Sequence, residues 1–299
     1  MRKILPILKP VICLIACIVI CTVFACTAFR IKENGKADEA ETILRIWQID
    51  GFEGGRGSRA DYLQKAGNEY GEKYGCYVTV TSLSSEAARL NLAHGNKPDI
   101  ISYPAGMYGL ENYVTDGQVW CNGAYCFLTL NGDFSDVSAG NTVMNGGKEN
   151  FVKAVSILCG IGGCKEEKPT GAYLKLIDGQ YKYLLGTQRD VYRLKTRGVS
   201  FSVKPVTEYN DLYQNIAVMT ACPNKDTAIE YISFLSDKSE NITALGLLSG
   251  RTVYDDEMKA FDGLNFETKL DGAVSAEIRK QFEDAIKSGD INMLKSLLK

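Results

Sequence analysis

The sequence predicts an α/β fold divided into about two lobes, on three observations. From residue 43 onward, short β-rich apolar runs alternate with stretches of helical periodicity, and such alternation builds a parallel sheet with right-handed crossovers. The chain has 299 residues, enough for two domains at roughly 150 residues each. It is 45% hydrophobic and 23% charged, a composition that forms packed cores and not a disordered coil.

Charge and composition narrow the function. The 34 basic residues nearly balance 36 acidic ones, so the chain lacks the basic surplus of a nucleic-acid binder that neutralises phosphates. A single histidine, His94, excludes sites needing two imidazoles, and Ser-His-Asp chemistry would rest on it alone. His94 falls at a helix end, where its ring suits a terminal carbonyl.

Residues 1–9 carry Arg2, Lys3 and Lys9, and Pro10 to Phe29 are uncharged. A positive start followed by an apolar run marks residues 1–29 as a signal peptide or a membrane anchor, and a run near 20 residues fits either. Its end, Val23-Phe24-Ala25-Cys26, resembles a bacterial lipobox, which makes Cys26 the candidate for lipidation. Either outcome places the rest outside the cytoplasm, attached to the cell membrane. Removing residues 1–25 takes away three basic residues and leaves 31 against 36 acidic, a net charge of −5. Residues 30–42 are polar and aperiodic, a linker.

The elements follow in order. Residues 43–49 (ILRIWQI) read as a buried strand, with Trp47 more a core residue than a stacking plate. A glycine-laden polar loop, 50–57, leads to Ser58 as N-cap. Tyr62, Leu63, Ala66, Tyr70 and Tyr74 then share a helical face, and Gly75 stops the helix. Residues 77–82 (YVTVTS) form a second strand. Ser84 caps a second helix running to His94, with Ala87 and Leu90 inward and Gly95 as its stop. After the Lys97-Pro98 turn, 99–103 (DIISY) form a third strand. Ligands of open α/β sheets sit at the carboxyl ends of strands, which singles out loops 50–58 and 103–109.

Gly55-x-Gly57-x-x-Ala60 imitates a dinucleotide fingerprint. It is set aside because Asp50 to Gly54 separate it from the strand, and because the second strand ends in Thr81-Ser82-Leu83 with no acid for a ribose. No cofactor is called for. Six cysteines lie beyond the apolar run: Cys76, Cys121, Cys126, Cys159, Cys164 and Cys222. Export permits disulfides, but buried free thiols are favoured, and the C-x4-C spacing without histidines does not suit zinc. No metal site is expected. The sequon Asn241-Ile-Thr243 is incidental in a lipoprotein.

The stretches Leu44 to Arg59 (LRIWQIDGFEGGRGSR), Lys97 to Ser102 (KPDIIS), Trp120 to Tyr125 (WCNGAY), Gly186 to Arg193 (GTQRDVYR) and the region Asn224 to Ser249 resemble the extracellular solute-binding proteins (family 1, sugar-type) of bacterial ABC importers. The resemblance implies a two-lobed periplasmic-binding-protein-like fold of type 2, each lobe a mixed or parallel sheet flanked by helices, with the ligand cleft between lobes. It implies lobe 1 at 43–119 with a return after about 206, lobe 2 at 120–206, and 207–299 as the return to lobe 1 plus C-terminal helices. It further implies reversible binding of a small solute, delivery to ABC permease subunits, and no catalysis.

A sugar offers hydroxyl groups to bidentate partners and C–H faces to aromatic plates. Loop 50–59 supplies Asp50, Glu53, Arg56, Ser58 and Arg59. The competing reading pairs Asp50 with Arg59 and leaves the glycines as a plain turn. Tyr103 and Tyr108 flank the loop after the third strand, equally as site or as packing residues. Trp120 either stacks a solute or packs the crossover. The resemblance adds Gln188 and Arg189 as ligand contacts, with Arg193 one turn on. Two rival functions share these residues: an exported carbohydrate-active hydrolase built on Asp50 or Glu53, and a membrane-anchored sensor module of the same fold.

Overall fold

The computed structural model describes residues 42–52, 56–115, 117–147, 152–249, 254, 258–264 and 273–298. The apolar run, Cys26 and Glu53 lie outside them. From Ile43 to Lys299 the chain is one compact unit. Among the described residues no helix is long and apolar enough to cross a membrane.

Two five-stranded sheets organise that unit. Strands β1 (Thr42–Ile49), β2 (Cys76–Leu83), β3 (Ile100–Pro104) and β4 (Gln118–Asn122) belong to the first, and β5 (Tyr125–Thr129), β6 (Thr142–Asn145), β7 (Lys165–Glu167), β8 (Tyr183–Thr187) and β9 (Ser202–Pro205) to the second. The last strand, β10 (Tyr213–Val218), returns to the first sheet. The orders are β2-β1-β3-β10-β4 and β7-β6-β8-β5-β9. These are the same pattern. In the first sheet β1 and β3 run parallel, Ile46 opposite Ile100, and β10 lies antiparallel to both β3 and β4. In the second, β6 runs parallel to β7 and β8, and β5 lies antiparallel to β8 and β9. In each sheet the antiparallel strand is the one that has just arrived from the other. The change of sheet falls at Gly123–Ala124 and again at 206–212.

Helix α1 (Arg59–Tyr74) follows β1, and its limits match the sequence reading: Ser58 Oγ accepts from the Asp61 N–H, and Gly75 closes the helix in the left-handed region at φ 70°. Its apolar face carries Leu63, Ala66 and Tyr70, all buried, whereas Tyr74 is exposed and leans on Tyr70. Gly67 and Gly71 let it lie against β2: a Cβ on Gly67 would come within 2.6 Å of Val78 Cβ. Helix α2 (Ser85–Ala93) crosses from β2 to β3. Here the expected burial phase is wrong: Ala88 and Leu92 are buried, Ala87 is half-buried and Leu90 is 56% exposed. Ala88 and Leu92, four residues apart, seat on Ile49, Ile101 and Tyr103, and Leu90 lies on the far side of so short a helix.

The second sheet is flanked by α3 (Val152–Leu158), α4 (Pro169–Ile177) and α5 (Gln188–Thr196). Helix α6 (Lys225–Asp237) packs beside α1, where Tyr231 donates to Leu63 O at 2.9 Å and its ring meets Tyr70 edge-on. The C-terminal stretch visits both sheets. Leu248 exchanges two backbone hydrogen bonds with Asn122 and joins Met258 and Phe261 in the core of the second sheet. Val274 donates to Met107 O at 3.0 Å on the first. Helices α7 (Ala276–Ser288) and α8 (Ile291–Leu298) then place Phe282, Ala285 and Leu294 in the cluster that holds Val152 and Val155 of α3.

Candidate functional site

The two crossings form a floor. Gly123 N–H donates to Leu212 O at 2.7 Å, Asn210 Nδ2 donates to Gly123 O at 2.8 Å, and Tyr125 OH donates to Asp211 Oδ1 at 2.7 Å. Both walls meet this floor at Gly123. A Cβ there would lie 2.8 Å from Gln188 Oε1 and 3.1 Å from the Phe52 ring, so one glycine separates the loop after β1 from the first residue of α5. Loop and helix also meet higher up, where the Arg56 guanidinium sits 5.8 Å from the Tyr192 ring centre.

On the first wall, Asp50 lies at the carboxyl end of β1. Its Oδ1 accepts from Arg59 NH1 at 2.7 Å and from Gln48 Nε2 at 3.0 Å. Asp50 is half open to solvent while Arg59 is buried. Arg59 also bonds Phe52 O at 3.0 Å and stacks 4.2 Å from that ring. The Cys121 thiol is pushed up to about 12 by burial, against which the Arg59 guanidinium pulls. Beneath lies a buried polar layer: Trp120 Nε1 donates to Ser102 Oγ at 2.9 Å, and Gln214 Nε2 donates to Ser102 Oγ and to Ile49 O.

On the second wall, β6 and β8 end in Asn145 and Thr187. Thr187 and Asp190 form a reciprocal capping box on α5. The Asp190 carboxylate is fully buried, and accepts from Asn145 Nδ2 at 3.1 Å, Thr187 N at 3.1 Å and Arg193 NH1 at 3.3 Å. Burial raises its pKa, and Asn145, the Thr187 N–H and the two arginines oppose that rise. Gln188 is likewise buried. Its Oε1 accepts from Ala124 N at 3.0 Å, and its Nε2 has no partner among the described residues. Arg189 is half-buried, and burial, then Arg193, lowers its pKa.

The structure thus brings Asp50, Arg56 and Arg59 of the first wall and Gln188 of the second to one region, with Arg189 following Gln188 in the first turn of α5. The other residues singled out from sequence sit elsewhere. Tyr103 is 2% exposed in the core with Ile49 and Leu92. Tyr108 carries Arg89 over its ring at 4.3 Å and bridges to Val274. Trp120 is buried in β4, stacked on Tyr62 at 5.9 Å. Ser58 serves as N-cap and edges a groove of about 440 Å³ between α1 and residues 238–245, away from Gly123. Phe52, Gly123, Asn145 and Asp190 were not singled out. The T-x-x-D spacing of 187–190 was the available signal for Asp190; Asn145 had none.

No protein-family profile matches the chain, and no curated protein matches it in sequence. Solved structures do resemble it. A Trichodesmium protein (IdiA, FutA) in complex with iron and citrate ligands superposes with a TM-score of 0.57 at 11% identity, over 85% of this chain and 99% of that one. The GacH receptor of Streptomyces glaucescens, solved unliganded and with acarbose, gives 0.52 at 14% identity over 85% and 93%. The Thermus thermophilus maltotriose-binding protein bound with maltotriose gives 0.50 at 10% over 85% and 97%. At such identities the likeness speaks for architecture alone: two helix-flanked sheets in the two-lobed, type 2 periplasmic-binding-protein fold.

Proposed function

We propose that this chain is the extracytoplasmic substrate-binding component of an ABC importer, and that it binds a small carbohydrate-type solute reversibly and presents it to membrane permease subunits. The observation that carries this reading is the meeting of both walls over a hinge floor. Phe52 from one and Gln188 from the other flank Gly123, and the same loop and helix meet again where the Arg56 guanidinium lies over the Tyr192 ring, with Asp50 bonded to Arg59 at the loop's start. Such a seam takes a solute by closing on it, and ligand-driven closure is a population shift between two lobe arrangements. The sheets then act as lobes hinged at 123–124 and 206–212, held near the membrane through residues 30–42 and a lipid on Cys26 or an uncleaved anchor.

The hydrolase alternative needs two carboxyl groups set on either side of one bond. Asp190 is spent on its helix cap and on Asn145, and Asp50 is held by Arg59 and Gln48, which favours recognition over catalysis. A thermal-shift screen with mono- and oligosaccharides, amino acids and organic acids is expected to give a ligand that raises Tm and is recovered unchanged. Turnover of that ligand by the pure protein would reject the reading.

A further inference from the structure

The outer strands of the two sheets differ in how their free edges are closed. Among the described residues, β4 is closed at Asn122 by its two backbone hydrogen bonds with Leu248. Strand β7 is three charged residues, Lys165-Glu166-Glu167, and β9 carries exposed Lys204 and stops at Pro205. Short, charged or proline-ended strands are poor templates for an added strand. Strand β2, at the other end of the first sheet, is built differently. Its eight residues, CYVTVTSL, include no charge, glycine or proline, and residues 78–81 are all Val or Thr. Tyr77, Thr79, Thr81 and Ser82 are exposed. An uncharged, β-branched edge of this length readily pairs with a further strand.

One side chain stands on that edge. Gln64 of α1 donates from Nε2 to Val78 O at 2.8 Å and accepts at Oε1 from the Val80 N–H at 3.0 Å. A residue of a parallel neighbouring strand would bond the same two groups, so the amide takes the place of one peptide of a missing strand, at the middle of β2. It cannot be turned round, because Val78 O requires a donor and the Val80 N–H an acceptor. Nε2 also donates to Asn68 Oδ1 at 2.9 Å, one turn along the helix. The reach depends on how closely α1 lies on β2: a Cβ on Gly67 would come within 2.6 Å of Val78, and one on Gly71 within 2.2 Å of Cys76 O.

We propose that the β2 edge is a latent pairing surface for a second copy of this chain, and that the Gln64 amide keeps it closed. The strand suits its own copy because Val78-Thr79-Val80 reads the same in both directions. Two such edges set antiparallel about Thr79 place Val78 opposite Val80 of the second copy, and each pair exchanges N–H···O bonds through the groups that Gln64 holds. Exposed Tyr77 then faces Thr81 of the second copy, an aromatic and β-branched pair of the kind that stabilises sheets. The inference is independent of which solute the chain takes.

Sedimentation velocity and amide hydrogen exchange on the full chain in detergent solution test it, with the wild type as the control for association through the apolar run. The wild type should keep one mass across a dilution series and show a protected Val80 amide. In Gln64→Ala the Val80 amide should exchange about 10-fold faster when dilute. On concentration this variant should shift toward twice the wild-type mass and regain Val80 protection as it does so. Gln64→Lys loses the same acceptor but sets a charge on the edge, and should stay at the wild-type mass; the Tm of each variant reads whether it folds. Association of both variants alike would trace the effect to loosened structure and overturn the inference. So would a folded Gln64→Ala that keeps the wild-type mass at every concentration, or one that associates while Val80 still exchanges fast.

Discussion

The hydrogen on Gly123 Cα occupies a space that no methyl group fits, because Gln188 and Phe52 close on it from opposite walls. Gly123→Ala should cost about 1–3 kcal/mol of stability through overpacking. It should weaken solute binding by a larger factor, since it displaces the Gln188 amide; denaturant titration and calorimetry on one preparation separate the two effects. At this scale the sequence was partly informative. The polar crowding of loop 50–59 was visible, and so was the alternative in which Asp50 pairs with Arg59, the contact found at 2.7 Å. Trp120 and Tyr103 looked equally suited to a site or to packing, because a residue type carries no record of which neighbours cover it. Trp120 is covered by Tyr62, 58 positions earlier in the chain, a pairing no local pattern encodes.

Elements were more legible when their ends were marked chemically. Ser58 and Gly75 delimit α1, and Ser84 opens α2, because cap residues act over three or four positions of sequence. The phase of α2 was not legible: nine residues contain too few turns to define a stripe, and the sheet selects Ala88 and Leu92. The connection from β5 to β6 carries part of the pH dependence, beside Glu69 and Glu167, whose carboxylates are held low by Lys238 and by Lys175. Asp136, bonded by Lys182 and Tyr183, and Asp133, bonded by Ser135, are both held below the usual carboxylate range. Lowered native values mean that the stabilisation is complete above the ordinary carboxylate pKa near 3.9 and is lost as pH falls through the lowered values. Buried Asp190, raised by burial, acts in the opposite sense: its penalty is present above its native pKa and fades on acidification. NMR titration of the side-chain carboxyls should therefore show Asp133 and Asp136 protonating below the ordinary carboxylate range and Asp190 above it, and residues 130–141 should become protease-sensitive in acid before the core of the second sheet does.

Across the whole molecule, the two sheets repeat one order, but only the second is built from one contiguous stretch, 125–205; the first waits for β10, which arrives after the whole second sheet. The alternation of strands and helices from residue 43 made the parallel part of the first sheet legible. Placing β5 and β10 depends on pairing with strands far away in the chain, for which hydrophobic runs give no register. The same interleaving has a consequence for assembly. If the chain is severed at Gly123, the leading fragment lacks the ribbon that sits between β3 and β4, and the trailing fragment keeps that ribbon with no home of its own. The dependence runs one way: the leading piece, made alone, should stay without its sheet and regain it only when mixed with the trailing piece, which circular dichroism of each piece and of the mixture would read.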